Sequence, residues 1–262
     1  MEIRIKFAKI GNMRFIGHLD IMRFFQKVMR KSALPVKYSE GFSPHQIMSF
    51  ASPLGMGIEG LGEYLDIELY DDKVAAITSG KAVKLLNRNM CEGMEIISFK
   101  KLKVTGKSAM SLVGLADYML VFNPEDTENL KLSEKDFNCY LKAFMSKESL
   151  LIEKISKDKV KILDIKPLIR HIEYRKAVFI NNKAFSGDII FMNITQGSID
   201  NLKPELVLNA LTQYVNMPKL RCSIIRTELY DSQHRSLEDY GEDVMCPFLI
   251  GKVITKKIKE MK

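Results

Sequence analysis

Apolar and polar residues alternate along the first part of the chain in patterns that predict both strands and a helix. Residues 2–7, EIRIKF, and residues 64–69, YLDIEL, carry an apolar side chain at every second position, as half-buried strands do. Between them, residues 19–32 have apolar side chains at the spacing of one helical face, and Pro35 ends this helix. The pattern therefore begins as strand, helix, strand.

Three further segments complete the order of the first half. A short strand is predicted at residues 47–51, a second helix over residues 72–89 and a last strand over residues 94–103. With right-handed crossovers, this order closes as a four-stranded antiparallel sheet with both helices on one face, the ferredoxin-like arrangement. The first and third strands are neighbours in that sheet, which brings Arg4 into the same region as Asp66.

The second half repeats this order less regularly. Ser133 is expected to cap a helix that runs to Met145, with Asp136 forming a partial capping box. Pro204 suits the first turn of a helix that ends at Val215. Strands are predicted over residues 117–122, 150–155, 160–165, 177–181, 189–195 and 222–230.

The fold class predicted from these elements is α+β, with two ferredoxin-like (βαββαβ) halves in tandem and a hairpin inserted in the second half. The first domain is predicted to span residues 1–104 and the second residues 115–262. The segment between them contains Gly, Ser and Lys residues typical of a linker. The second domain is predicted to end in a basic tail, residues 252–262.

Composition places the chain among ordinary globular proteins, with 46% hydrophobic and 27% charged residues. No apolar run approaches the roughly 18 to 20 residues needed to cross a bilayer, and the N-terminus lacks an apolar signal core. The four cysteines lie far apart, which gives no support for a zinc ribbon or an iron–sulfur cluster and suits a reducing compartment. We therefore expect a cytoplasmic protein with no membrane contact, no cofactor and no metal.

The positive charge of the chain favours a polyanionic partner. Its net charge is +8 and its pI about 9.1, and each neutralised phosphate of a nucleic acid releases condensed counterions. On the first helix, Arg23, Lys27, Arg30 and Lys31 fall at i, i+4, i+7 and i+8, opposite the apolar face. This basic stripe is either a solvated helix face or a surface that follows a phosphate backbone.

A second candidate feature lies at the start of the same helix, in the stretch RFIGHLDIMRFF, residues 14–25. Asp20 can act as a cap or first-turn anion of the helix without any further function. Alternatively, Arg14, His18 and Asp20 together form a site that holds an anion or moves a proton.

The third candidate feature is the loop GFSPHQIMSFASPLG, residues 41–55. Its glycine and proline residues specify a fixed, bent loop that is either a tightly packed connection or a binding edge presenting Phe42 and His45. We expect this loop to meet Arg14, His18 and Asp20 in one polar pocket. The two histidines and the aspartate are too widely spaced to indicate a metal site.

Four stretches together resemble the radical-SAM-linked protein family, a bacterial domain of unknown function: RFIGHLDIMRFF, GFSPHQIMSFASPLGMGIEGLGEYLDIEL, DIKPLIRHIEY and GSIDNLKPELVLNAL. The resemblance covers most of the chain and is most specific over residues 6–69. The family's characteristic positions that this chain matches are Arg14, Phe15, His18, Leu19, Asp20, Arg23, Gly41, Phe42, Pro44, His45, Ser49, Phe50, Ala51, Pro53, Leu54, Gly57, Glu63, Tyr64 and Asp66. The chain departs from the family pattern at Gly17, where serine is usual, and at Gln46, where proline is usual.

The resemblance implies an accessory role. Family members are encoded beside a radical SAM enzyme or fused to one, which implies a partner encoded nearby and an action on RNA or the translation machinery. A radical SAM enzyme needs three closely spaced cysteines for its cluster, and this chain has none. We therefore expect a protein without catalytic activity of its own that binds RNA or presents it to the enzyme.

Two other functions stay open. In the first, the protein is an adaptor that docks the radical SAM enzyme through the loop 41–55 and the turn at His18. In the second, it is a metal-independent RNA-processing enzyme, by analogy of fold alone, with His18 as base, Arg14 as anion stabiliser and Asp20 as orienting group. The predicted binding residues are Arg14, His18, Asp20, Arg23, Lys27, Arg30, Phe42, Pro44, His45, Ser49, Glu63 and Tyr64.

Overall fold

The computed structural model describes residues 1–70, 77–156, 159–180, 183–198 and 200–245. The chain divides into two compact units. The first contains residues 1–56, residues 63–112 and the segment that begins at Ser236, and the second contains residues 57–62 and 113–235. Within the described part of the chain, no helix has both the length and the apolar content to cross a membrane.

The first unit is built on a sheet with two long helices. Its elements are β1 (Glu2–Lys9), α1 (His18–Lys31), β2 (Met48–Phe50), β3 (Glu59–Glu68), α2 (Ser79–Asn87), β4 (Met94–Leu102) and the short α3 (Ala109–Leu112). The strand order is β4–β1–β3–β2, with antiparallel pairing of β1 with β4 and of β2 with β3. Each predicted element of this half is present with shifted bounds. Residues 72–76 of the predicted helix 72–89 lie outside the described residues.

One face of this sheet forms the apolar core of the first unit. Ile3, Ile5 and Phe7 of β1 pack with the buried faces of both helices, including Phe25 of α1 and Leu86 of α2. Helix α2 begins where the Thr78 side chain accepts a hydrogen bond from the Lys81 N–H. Because the same β1 side chains pack with both helices, the two helices cover the same side of the sheet.

The opposite face of β1 is also buried, so the prediction of a half-buried strand was wrong. Arg4 and Lys6 are only 2% and 7% exposed. They are covered by the segment that begins at Ser236: Arg4 donates to the Leu237 carbonyl, and Lys6 pairs with Glu238. Burial of this polar face requires ion pairs, and Arg4 does meet Asp66 as the strand order predicted.

The second unit, like the first, consists of β-strands and a few α-helices. They are β5 (Leu115–Phe122), α4 (Pro124–Asn129), α5 (Glu134–Met145), β6 (Leu151–Ser156), β7 (Lys159–Asp164), β8 (Ile169–Ile180), β9 (Lys183–Thr195), α6 (Pro204–Val215) and β10 (Cys222–Tyr230). The strand order is β10–β5–β9–β8, antiparallel throughout, while β6 and β7 pair with each other. The capping box of Ser133 and Asp136 at α5 is confirmed. Strand β8 is much longer than the predicted strand 177–181.

The chain returns to the first unit after residue 235, where β11 (Gly241–Asp243) pairs with β4. The fold is α+β, as predicted, with mostly antiparallel strands and few helices. The segment 105–114, predicted as a linker, contains α3, where the buried Ala109 donates its N–H to Asp66 at 2.6 Å. The two predicted domain ranges stay predictions, and the predicted basic tail, residues 252–262, lies outside the described residues.

Candidate functional site

A small pocket lies at the N-terminus of α1, within the first unit. Its walls are partly aromatic and partly polar. The lining residues are Phe7, Lys9, His18, Ile21, Phe50, Ser52, Pro53, Leu54 and Glu63. The pocket thus joins the start of α1 to the end of the predicted loop 41–55.

Two buried charges lie in this pocket on the face of the sheet that is otherwise apolar. Lys9 is 3% exposed and Glu63 is 4% exposed. Lys9 follows Ile5 and Phe7 in the two-residue repeat of β1, and Glu63 precedes Leu65 in the repeat of β3, so both side chains belong to the helix-covered face. The Lys9 ammonium donates to the carbonyl of Ile16 at 2.9 Å. A charge held on a core face needs such polar partners.

His18 reaches the pocket because of how α1 begins. A short 3-10 helix, Gly11–Phe15, follows β1, and Gly17 then takes the N-cap position with extended backbone angles. His18 is the first helical residue, and its ring packs edge-on against Phe50 with 5.2 Å between centroids. Burial lowers the pKa of His18 below its ordinary value of 6.5, and the nearby Lys9 charge lowers it further. The folded protein therefore favours the neutral form of the imidazole.

The departure at Gly17 affects the helix cap. Gly17 makes no side-chain cap hydrogen bond. A serine at an N-cap position normally accepts a hydrogen bond from the second or third helical N–H. With glycine at this position, α1 has an N-cap residue but no side-chain cap.

The other predicted residues of the helix start lie outside the lining of this pocket. Arg14 has its guanidinium over the ring of Phe15, at 4.9 Å from the centroid. Asp20 is exposed in the first turn of α1 and pairs with Arg23 at 3.4 Å. The Asp20 side chain suits the positive end of the helix without acting as its cap.

The basic stripe of α1 is solvent-exposed. The basic residues Arg23, Lys27, Arg30 and Lys31 are all exposed. The buried residues of the helix are Ile21, Phe25, Val28 and Met29. In the described part of the chain, Arg23 has the exposed Asp20 as its ion-pair partner, and no ion pair involves Lys27, Arg30 or Lys31. The stripe thus presents positive charge to solvent along successive turns of one helix.

The loop 41–55 divides between two environments. Its first part is exposed: Phe42 is fully exposed, Pro44 is exposed, and His45 faces the Ser39 hydroxyl with 2.9 Å between Nδ1 and Oγ. Its last part supplies Ser52, Pro53 and Leu54 to the pocket. The structure thus brings His18 together with the end of the loop, whereas His45 is outside the described lining of that pocket.

Two predicted binding residues of the strands lie elsewhere. Ser49 of β2 is opposite Asp66 of β3. Tyr64 is buried on the second face of β3, where its hydroxyl is 3.2 Å from the Ser236 hydroxyl and the Lys6 ammonium lies 5.7 Å from its ring centroid. Ser49 thus belongs to the pairing of β2 with β3, and Tyr64 contacts the segment that begins at Ser236.

Sequence reasoning did not select Lys9, and it named Phe50 only as a characteristic position of the resembled family, although both residues line the pocket. The signal for Lys9 was a lysine in register with Ile3, Ile5 and Phe7, where an apolar residue is expected. The same signal marks Glu63 in register with Leu65. A charged residue at a core position is expensive unless it has polar partners, so two such residues on neighbouring strands indicate a shared polar site.

The pocket can hold a small polar group. It offers a positive charge from Lys9, hydrogen-bond acceptors from Glu63 and a neutral imidazole from His18, against the apolar rings of Phe7 and Phe50. Among the described residues, no three His, Cys, Asp or Glu side chains are grouped as a metal site would require.

Comparison with known proteins gives one family. The model of the family DUF2344, which is described as an uncharacterized protein conserved in bacteria, matches residues 2–204 of the chain. No curated protein matches the chain.

Proposed function

We propose that this chain, which belongs to the DUF2344 family of bacterial proteins, is an RNA-directed accessory protein that works with a radical SAM enzyme. In this proposal the protein binds RNA along α1, and the His18 pocket lies at the N-terminal end of the same helix. The chemical step belongs to the partner enzyme, which is encoded nearby. The location of the protein in this proposal is the cytoplasm.

The observation that carries the RNA part is the exposed basic stripe of α1. Positive side chains at helical spacing follow a phosphate backbone, and the only acid beside them in the described part of α1 is Asp20 in its first turn. The net charge of +8 supports the same partner. The stripe and the pocket lie on the same helix, since His18 is the first residue of α1.

The tandem ferredoxin-like arrangement is also a proposal. It is supported by the strand order β4–β1–β3–β2 in the first unit and β10–β5–β9–β8 in the second. If β8 and β9 count as the second and third strands of the second half, both orders have the form 4–1–3–2 that a split βαβ unit requires. The β6–β7 pair then corresponds to the inserted hairpin.

The radical SAM partner rests on the family resemblance. The free thiols Cys91, Cys139 and Cys222 are far apart in sequence, so they do not provide the closely spaced cysteines of a radical SAM cluster. The accessory role follows because the chemistry must then come from another chain.

The RNA proposal predicts salt-dependent binding that depends on α1. Fluorescence anisotropy with labelled single-stranded RNA of mixed sequence, measured over a range of salt concentrations, should give a log–log slope that reports the number of phosphate contacts. In the triple variant Arg23→Gln, Lys27→Gln, Arg30→Gln, this slope should become shallower by about 2, since each lost contact contributes roughly 0.7. Affinity at about 0.1 M salt should fall by about tenfold to a hundredfold.

A matched control separates the stripe from the overall charge. The variant Lys135→Gln, Lys142→Gln, Lys219→Gln removes the same number of charges from exposed positions in the second unit. We expect this control to retain most of the wild-type affinity and slope. Equal losses in both triple variants, or no salt-dependent binding by the wild type, would contradict an RNA site on α1.

A docking function is favoured by a second observation, the full exposure of Phe42 at the tip of a bent loop. The loop is held by the bridge between Tyr38 and Gln46 and by the hydrogen bond from the His45 N–H to the Ser39 hydroxyl. Aromatic side chains, Phe among them, are enriched at protein–protein interfaces.

This docking function predicts that Phe42→Ala weakens capture of the radical SAM enzyme encoded nearby. Recovery of that enzyme with affinity-tagged protein should fall by at least about tenfold, since an anchor residue typically contributes 2 kcal/mol or more. Stability should not change, because Phe42 has no buried contacts to lose. The exposed Leu130→Ala variant is the control, and equal recovery from Phe42→Ala and wild type would remove this loop from the interface.

A further inference from the structure

A second cavity, of about 570 Å³, lies within the second unit and plays no part in the proposed RNA site. It is formed by side chains of β5, β8, β9 and β10. Its apolar walls include Phe179 and Phe191, and its polar lining includes Asp117, Glu228 and Tyr230. The cavity therefore combines aromatic rings with carboxylates.

The carboxylate of Asp117 is buried without a cation. Asp117 is 8% exposed, and it accepts hydrogen bonds from the Asn193 amide at 2.6 Å and from the Tyr230 hydroxyl at 2.8 Å. Both of these donors are neutral, and among the described residues no ion pair involves Asp117. A carboxylate has about four acceptor positions, so about half of them remain available. A buried charge compensated only by neutral groups is costly, and a cationic ligand would offset that cost.

A neighbouring acceptor also lacks a partner. The Asn193 side chain is 3% exposed, and its carbonyl oxygen has no hydrogen-bond partner among the described residues. Its amide nitrogen is bonded to Asp117, so the unsatisfied oxygen belongs to the same polar group. The Asn193 oxygen thus lacks a hydrogen-bond donor, and the Asp117 carboxylate can accept further hydrogen bonds.

Arg175 is the cationic side chain in the cavity lining, and it already has interaction partners. Arg175 pairs with Glu173, and its guanidinium lies 4.5 Å from the ring centroid of Phe191. Glu228 adds a second carboxylate to the lining. Burial and the Asp117 charge raise the pKa of Tyr230, so its hydroxyl stays protonated and continues to donate to Asp117. The lining holds two carboxylates and one guanidinium, and one Glu228 oxygen also accepts the Leu229 N–H at 2.9 Å.

We propose that this cavity binds a small organic cation with a primary ammonium group. The ammonium donates hydrogen bonds to Asp117 and Glu228, and its methylene chain packs against Phe179 and Phe191. Carboxylates satisfy the N–H donors, while the faces of aromatic rings attract the positive charge. The net charge of the whole chain is +8, which repels cations in general, so binding of such a ligand requires a local negative site.

The test is calorimetric titration of the full chain with spermidine. Wild type should bind it, whereas 1,4-butanediol, which lacks the charge, should not bind. Asp117→Asn should weaken spermidine binding by at least about tenfold, since it removes the buried charge and retains the shape. The exposed control Glu148→Gln should bind as wild type does.

Two further arms make the result decisive. Nα-acetyl-lysine methylamide tests whether the ammonium comes from a lysine side chain of a protein, and binding of either this compound or spermidine supports the site. Glu228→Gln changes the cavity lining and leaves Asp117 in place, and it should also weaken spermidine binding. This variant provides the test if Asp117→Asn does not fold. Failure of wild type to bind either ammonium compound, or equal binding by wild type and both carboxamide variants, would overturn the proposal and leave the RNA site on α1 unaffected.

Discussion

Replacing Asp66 by alanine is expected to lower the free energy of unfolding by about 3 to 5 kcal/mol, because it leaves the Arg4 guanidinium buried without its counter-charge. Arg4 donates to both Asp66 oxygens, at 2.8 and 2.9 Å, and to the Leu237 carbonyl at 3.0 Å. Asp66 also accepts the Ala109 N–H at 2.6 Å. The substitution therefore disturbs β1, β3, the start of α3 and, through Arg4, the segment that begins at Ser236.

Urea unfolding of Arg4→Met, Asp66→Ala and the double variant should show strong coupling. The double variant is expected to be more stable than the sum of the two single losses predicts, since it leaves neither charge alone in the interior. The exposed pair of Asp20 and Arg23 is the control: its side chains are 67% and 69% exposed, and Asp20→Ala should change stability by less than about 1 kcal/mol. Additive losses at Arg4 and Asp66 would refute the idea that they form one buried unit.

The Arg4 pair was predictable from sequence because strand registers and topology are strongly constrained. The alternation in residues 2–7 and 64–69 identifies two strands, and the ferredoxin-like order makes them neighbours, so Arg4 and Asp66 meet. The burial of this pair was not predictable. It depends on a segment more than 160 residues further along the chain, which includes Leu237 and Glu238. Local patterns carry no information about such distant covering segments.

Helix ends with chemical signals were predicted well, and long irregular strands were not. The capping box at Ser133 and the first-turn Pro204 fix the starts of α5 and α6 through local hydrogen bonding and backbone geometry. In β8, register shifts between Ile169 and His171 and between Arg175 and Ala177 interrupt the two-residue repeat. Because a bulge shifts the alternation by one residue, most of this strand gave no strand pattern.

The candidate site was predicted only in part, for a related reason. The sequence identified His18 and the loop 41–55 by their polar and bend-forming residues, and both contribute to the pocket. Arg14 and Asp20 were grouped with His18 because they are close in sequence, but a helix start directs such neighbours to different sides. The residues that complete the pocket, Lys9 and Phe50, come from strands and can be placed only by the sheet.

Replacing Phe50 by alanine is expected to destabilise the first unit by about 3 to 5 kcal/mol and to raise the pKa of His18. Phe50 packs edge-on against Phe25, with 5.6 Å between centroids, against Phe7 at 6.0 Å and against His18 at 5.2 Å. Its removal opens a cavity in this aromatic cluster and lets water reach the imidazole. Since burial is the main cause of the low pKa of His18, that pKa should move back toward 6.5, while the Lys9 charge continues to hold it somewhat lower.

The sign of the pH effect follows from that shift. Because the pKa of His18 is lower in the folded than in the unfolded protein, the unfolded chain binds the proton more readily, and His18 stabilises the fold only above about pH 6.5. This contribution is lost as the pH falls through the folded-state pKa. In Phe50→Ala the two pKa values are closer, so the part of the acid-induced loss of stability that comes from His18 should be smaller.

Two measurements and one control variant distinguish an effect of Phe50 on the pKa of His18 from general destabilisation of the protein. NMR titration of the His18 ring gives its pKa directly, and urea unfolding at pH 5 and pH 7 gives the change in stability. Phe137→Ala removes a fully buried ring of the second unit, one that stacks on Tyr174 at 4.9 Å, so it should cost a similar free energy but leave the pKa of His18 unchanged. If Phe50→Ala and Phe137→Ala leave the pKa of His18 equally low, the shift does not arise from burial against Phe50. If only Phe50→Ala raises the pKa of His18, the Phe50 ring is the group whose packing lowers that pKa.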